Sequence, residues 1–320
     1  MRFVVRRLML FVVALFGMSI LVFAALRVLP GDVASVMAGM NATPQQIARL
    51  RAQLGLDRSL GRQYVDWLAS LLHGDLGTSM LTGRSVGSQV GSRSSVTFPL
   101  ILAAMAVAMA LGIPLGCEAV LARSPHVRAL LHAASIVAGS IPALWGGLLL
   151  IMLFSRGSGL VGILPSQGFP QDGWHDVLSC LASLALPALT LGIIVGSGLM
   201  RYTRSSLGGL VSSGFIDMAM ACGMTRRRAV IRVGLRLAAP QLVSVIGLTF
   251  AQMITGAMVV ENLFALPGLG AGLIADVGNR DLIAVQSQLF MLVAFFLAMG
   301  FLVDILHRAL DPRLGKEGER

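Results

Sequence analysis

A chain of 320 residues with 56% hydrophobic and 12% charged side chains, and a mean hydropathy of +0.81, is too apolar for a soluble protein, in which about 25% of residues are charged. The net charge of +10 invites a nucleic-acid partner, but the basic residues cluster between apolar segments, where they set topology and meet anionic lipid. No nucleic acid is therefore expected as a partner; the lipid bilayer is.

Runs of about 20 apolar residues can cross the roughly 30 Å hydrocarbon core as helices, which satisfy their own backbone polar groups. Such runs fall at 8–28, 96–121, 129–154, 179–200, 240–260 and 284–306. The predicted fold class is all-α: a polytopic membrane protein with six transmembrane helices in one domain over 1–320. The first run follows Arg2, Arg6 and Arg7. It exceeds the roughly 7–15 residues of a signal-peptide core, so it reads as an uncleaved helix.

The segment 30–95 is a long extracytoplasmic loop with two predicted short helices. Thr43 is placed to cap the first, Pro44 occupies its first position and Gln46 completes a capping box. Ile47, Leu50 and Leu54 form its apolar stripe, and Gly55 ends it. The second runs from Leu60 to Leu72, with Leu60, Tyr64, Trp67, Leu68 and Leu71 on one face and Gly74 as its stop.

Arginines assign the remaining sides. Arg123 and Arg128 lie between spans two and three, seven arginines lie between spans four and five, and Arg308, Arg313, Lys316 and Arg320 follow span six. The loops 155–178 and 261–283 hold only Arg156 and Arg280, beside Asp172, Asp176, Glu261, Asp276 and Asp281. Both termini are expected in the cytoplasm. Glu118 and Asp304, near cytoplasmic span ends, read as anchors solvated by arginine, and Gly192, Gly196, Gly198 and Gly256 as positions of close helix approach.

The segment 201–239 is the sizeable cytoplasmic element. Phe215, Ile216, Asp217, Met218, Ala219, Met220, Ala221, Cys222 and Gly223 make a short, mostly apolar helix, with Asp217 in the first turn and Gly223 as terminator. Such a helix either needs a partner surface or packs under its own bundle. Thr225 caps a second helix that opens with Arg226, Arg227 and Arg228, three cations that oppose the helix dipole. Ile231, Leu235 and Ala238 form its apolar stripe.

Ala219-x-x-x-Gly223, a basic helix and Pro240 at the next span resemble the cytoplasmic coupling loop of ABC importer permeases. Other stretches resemble the dipeptide/oligopeptide B-type subunit of the peptide/nickel branch. They are Leu54-Gly55-Leu56-Asp57 with Gln63-Tyr64 and Trp67-Leu68, then Gly74-Asp75-Leu76-Gly77-x-Ser79 and Thr82-Gly83-Arg84; Arg201-x-Thr203-Arg204-Ser205-Ser206; and Glu261-x-x-Phe264-x-x-Pro267-Gly268-Leu269-Gly270, with Asp311-Pro312-Arg313 near the end. The resemblance implies a bacterial inner-membrane importer of di- or oligopeptides. Its partners would be a second related permease in a heterodimer, two ATPase subunits and an extracytoplasmic solute-binding protein. It also implies that Phe215, Ile216, Asp217, Met218, Ala219, Cys222 and Gly223 couple to an ATPase, and that Glu261, Phe264, Pro267, Gly268 and Gly270 form an outer gate near the pore mouth. Glutathione and nickel chelates are alternative substrates within this architecture; a secondary transporter or channel is the alternative outside it.

Chemistry within the chain itself is not expected. A P-loop needs GxxxxGK[ST], and the single lysine, Lys316, precedes Glu317; ATP and Mg belong to partner subunits, and the chain is no enzyme. His73, His126, His132, His175 and His307 show no metal-ligand spacing. Cys117, Cys180 and Cys222 form no paired motif and are expected as buried free thiols. Gly268-Leu269-Gly270-Ala271-Gly272 reads as a flexible turn.

Overall fold

The computed structural model describes residues 2–28, 34, 38, 42–53, 55–79, 82–157, 159–211 and 214–310. Leu54, Asp311, Pro312, Arg313, Lys316 and Arg320, named above, lie outside the described residues. The helices are α1 (Arg2–Val28), α2 (Pro44–Gln53), α3 (Leu60–Leu72), α4 (Val86–Leu121), α5 (Pro125–Ser140), α6 (Ala143–Phe154), α7 (Val177–Val211), α8 (Phe215–Ala221), α9 (Arg226–Ala229), α10 (Leu235–Leu263), α11 (Leu269–Gly278) and α12 (Leu282–Leu310). Among the described residues there is no strand, only two isolated bridges, Thr78–Ser85 and Ser155–Leu164.

Among the described residues, five helices are long and apolar enough to cross a membrane, and a sixth crossing follows if α5 and α6 count as one span. That pair departs from the expectation of a continuous helix over 129–154. It bends by 107°, because Pro142 forces Ile141 into extended backbone, φ −75° and ψ 122°. Pro99, Pro114, Pro187 and Pro240, in contrast, lie inside α4, α7 and α10 without ending them, as lipid-embedded helices tolerate.

The chain divides into two compact units. The first comprises Met1–Arg7, Thr97–Pro267 and Met299–Arg320, the second Leu8–Val96 and Gly268–Ala298.

In the first unit, α4 and α7 approach each other through paired glycines. A Cβ at Gly112 would lie 2.7 Å from the Gly196 carbonyl oxygen, and one at Gly192 would lie 2.5 Å from Val107 Cγ1. Gly112 thus meets Gly196, while Gly116 takes in Thr203 and the Met200 carbonyl, Gly192 takes in Val107 and Gly196 also abuts Ala108, a small-residue seam of the kind that holds helices together in lipid. Gly256 admits Leu191 in the same way, but Gly198 has only the Arg201 side chain near it, at 3.8 Å, so no close approach occurs there. Glu118 pairs with Arg227 at 2.6 Å and Asp304 with Arg7 at 2.7 Å; both carboxylates are held by arginine.

In the second unit, the capping box at Thr43 forms: its N–H donates to Gln46 Oε1 at 2.8 Å, and Gln46 N–H donates to Thr43 Oγ1 at 3.3 Å. On α3, Tyr64 and Trp67 turn inward against Phe23 of α1, with ring centroids 5.4 and 6.2 Å apart, and Ser19 shares a hydrogen bond with the Tyr64 hydroxyl at 2.8 Å. Leu60 is 58% exposed and does not join that face, since it lies at the helix start, a full turn before Tyr64. The glycine-rich stretch after Pro267 is not a flexible turn: Gly268 precedes α11, and Leu269, Gly270 and Gly272 are buried within it. Gly272 leaves room for the Arg93 side chain, which pairs with Asp276 at 2.5 Å.

Candidate functional site

The short helix α8 is rooted and presented at once. Ile216 is 2% exposed and joins Cys117 of α4, Leu207 of α7, and Ala229, Val230, Ala238 and Leu242 in one apolar cluster; Ala219 packs against that cluster. On the other side Phe215 and Met218 are 55% and 70% exposed, and Asp217, Cys222 and Gly223 are exposed beside them. A helix of only seven residues has little stability of its own. Burial of Ile216 therefore holds it, which leaves Phe215, Met218 and Cys222, at steps of three and four, as an open stripe. Ile216 and Ala219 belong to the root and not to that open stripe. The exposure of Cys222 corrects the expectation that all three thiols are buried; Cys117 and Cys180 are.

Gly223 ends α8 with φ +90°, a conformation that favours glycine. Its N–H reaches the Met220 carbonyl at 2.9 Å and the Met224 N–H reaches the Ala219 carbonyl at 3.2 Å, the paired bonds of a Schellman ending. Thr225 then caps α9 by accepting the Arg228 N–H at 3.4 Å. Arg227, anomalous for the helix dipole, is accounted for by Glu118 at 2.6 Å.

Between α9 and α10 the chain makes a π-helical turn over Val230–Gly234, with the Leu235 N–H bonded to the Val230 carbonyl. This wider turn shifts the buried face. Ala229, Val230, Gly234, Ala238 and Leu242 point inward, whereas Ile231, expected in the apolar stripe, is 42% exposed. A π turn leaves no compositional mark, so helical periodicity misplaces Ile231, while Ala238 lies in the apolar cluster and Leu235 packs against it as expected. Gly234 went unremarked in the sequence, yet a Cβ there would lie 3.2 Å from Leu207 Cδ2, a tight approach, and 3.6 Å from Ile216 Cδ1, in ordinary contact; the backbone here packs directly against both.

The second group of candidate residues begins at the end of α10. Glu261 is fully buried and accepts a hydrogen bond from Thr97 Oγ1 at 2.5 Å. An acid in the last turn opposes the helix dipole, so helix stability does not explain it. The Leu266 N–H bonds to the Glu261 carbonyl at 2.9 Å and the Ala265 N–H to Asn262 at 3.3 Å. This too is a Schellman ending, here with Ala265 in the left-handed region at φ +50°. Phe264 is 1% exposed, and its carbonyl accepts the Gly168 N–H at 2.9 Å, tying the 155–178 segment to the turn. Pro267 is exposed. Gly268 and Gly270 belong to the second unit and are buried at the start of α11. Thr97 and Gly168 were not legible as partners, since they lie 164 residues before Glu261 and in an unpatterned loop.

The fold and these two elements define a multi-pass helical membrane protein, with a rooted helix that presents an apolar stripe and a turn built on a buried acid. The comparisons name its class: residues 108–316 match the family described as binding-protein-dependent transport system inner membrane component, and residues 1–106 match its N-terminal companion. The chain belongs to this family and is an ABC importer permease. It is 33% identical to the dipeptide transport system permease protein DppB of Escherichia coli K12, over 98% of each chain. It is 34% identical to the glutathione transport system permease protein GsiC of Salmonella typhimurium LT2, over 98% of this chain and 99% of that one. An inner-membrane component of such a system works with a partner ATPase and a substrate-binding protein.

Proposed function

We propose that this permease imports di- or oligopeptides, pairing with a second related permease to form the pore, with two ATPase subunits on the cytoplasmic side and a solute-binding protein outside. Both termini are cytoplasmic in this reading, the 30–95 segment is extracytoplasmic, and 201–239 is the coupling loop. The chain binds no nucleotide of its own; ATP and Mg act in the partners. Moving an alternating-access equilibrium from about 1:99 to 99:1 takes roughly 5.5 kcal/mol of differential binding, which the partners supply.

The observation that carries this reading is the split of α8 into a buried root at Ile216 and an exposed stripe at Phe215 and Met218. An apolar stripe exposed beside arginine-rich segments calls for a protein partner, and a root continuous with α4, α7 and α10 passes its movement on to the spans. The ATPase contact falls to Phe215, Met218 and Cys222, with Asp217 at the edge, Gly223 setting the helix end, and Ile216 and Ala219 transmitting. Glu261, Phe264 and Pro267, followed by Gly268 and Gly270, form the outer gate, with Glu261 holding the turn through Thr97.

Glutathione is the second substrate reading, favoured by the comparable likeness to GsiC. The test is uptake of radiolabelled dialanine and of glutathione by cells expressing the whole system, with wild type against Met218→Asp. The proposal expects peptide uptake that Met218→Asp abolishes together with copurification of the ATPase. Glutathione uptake alone moves the assignment to the second reading, and uptake unaffected by Met218→Asp removes the coupling role.

A further inference from the structure

Residues 129–154 form one apolar run, yet its middle is not helical. α5 ends at Ser140 and α6 begins at Ala143, and the two are bent by 107°. In a continuous helix the Ala138 carbonyl would take the N–H of residue 142, which a proline lacks. The Gly139 and Ser140 carbonyls would take the N–H groups of Ala143 and Leu144, and the bend carries those away. Among the described residues, no hydrogen bond reaches any of the three carbonyls. On the far side of the turn, the Gly146 N–H is the first of α6 to find a carbonyl, that of Pro142 at 3.0 Å.

The rest of the chain does not bury this turn. Gly139, Ser140 and Pro142 are exposed, and a glycine has only backbone to expose. Irregular backbone at membrane depth is tolerated inside protein or against a water-filled cavity, not against lipid tails. The Arg201 side chain lies against the same turn of α5. Its Nη1 donates to the Ser135 carbonyl at 2.6 Å, and a Cβ on Gly139 would lie 2.8 Å from that nitrogen. Arg201 is exposed as well, and a cation within a span faces water or a bundle interior. Two independent features, free carbonyls and a charge, therefore call for water at one place.

We infer that the break between α5 and α6 lines the aqueous path of the transported solute, with the Gly139 and Ser140 carbonyls accepting hydrogen bonds from the ammonium or amide N–H groups of a passing peptide. The solute is taken from the importer reading above, on which this part rests; contact of the break with water does not depend on it.

The experiment introduces Ser140→Cys, a small change at an exposed position, into the complete importer in inside-out membrane vesicles. The vesicles are treated with a charged methanethiosulfonate reagent or with lipophilic N-phenylmaleimide, without nucleotide and with ATP plus vanadate, and mass spectrometry locates the label. The charged reagent is expected to modify position 140 in at least one of the two states, and dialanine supplied at the cytoplasmic face should slow that reaction at least fivefold. Modification by the lipophilic reagent alone would place the break against lipid and overturn the inference. Modification by neither reagent in both states would place it under the second permease and overturn it equally. Charged-reagent labelling that dialanine leaves unchanged would overturn the solute contact. If the system imports glutathione and not peptides, labelling by the charged reagent persists and glutathione protects in place of dialanine, so failure of the peptide assignment is told apart from failure of the site.

Discussion

Gly234 stands where a side chain would meet Ile216: a Cβ built there lies 3.6 Å from Ile216 Cδ1. The π turn that ends at Gly234 and the helix carrying the exposed stripe are thus one mechanical joint. Gly234→Leu should push α8 off its seat and abolish transport, with the protein still inserted in the membrane. Gly234→Ala demands only a small adjustment of Leu207, 3.2 Å from the new carbon, and should retain most uptake. Parallel uptake assays and limited proteolysis within 212–224 check both.

Root and stripe should separate under mutation. Ile216→Ala removes a fully buried side chain and should cost about 2–5 kcal/mol, read as a lower melting temperature. Phe215→Asp and Met218→Asp change exposed positions and should leave melting within about 0.5 kcal/mol of wild type, while the ATPase no longer copurifies.

Thr97 and Glu261 predict a different signature. Thr97→Val removes a hydrogen bond to a buried acid, worth about 1.5–3 kcal/mol, whereas Glu261→Gln preserves size and can still accept. A thermal-unfolding series should place Thr97→Val well below Glu261→Gln, and a double-mutant cycle should show coupling between the sites.

Ala265 holds a left-handed conformation at φ +50°, where a side chain costs about 1–2 kcal/mol and glycine does not. Ala265→Gly regains part of this, less the entropy glycine loses on folding, and should raise the melting temperature by the equivalent of up to about 1 kcal/mol. A lower melting temperature would mean the turn is held differently.

Much of this structure was legible where the signal is local. The capping box at Thr43 and Gln46, the stop at Gly223 and the cap at Thr225 are each set by residues within five positions, and side-chain chemistry there leaves few options. What escaped depends on residues far apart or on backbone alone. Pro142 bends the third apolar run because the residue before a proline is driven from helix, and a window of apolar composition does not register that. The π turn at Val230–Gly234 reassigns Ile231 from buried to exposed with no change in residue types. Gly112 and Gly116 look unremarkable until α7 brings Gly196 and Thr203 against them, and Thr97 is silent until the fold brings Glu261 to it.

Cys222 offers the most direct measurement, because it is exposed on the α8 stripe while Cys117 and Cys180 are buried. A membrane-impermeant maleimide should label it in inside-out vesicles but not in intact cells, and bound ATPase subunits should protect it. Labelling of Cys222 from outside intact cells, or equal labelling with and without the ATPase, would contradict the docking of this helix on a cytoplasmic motor.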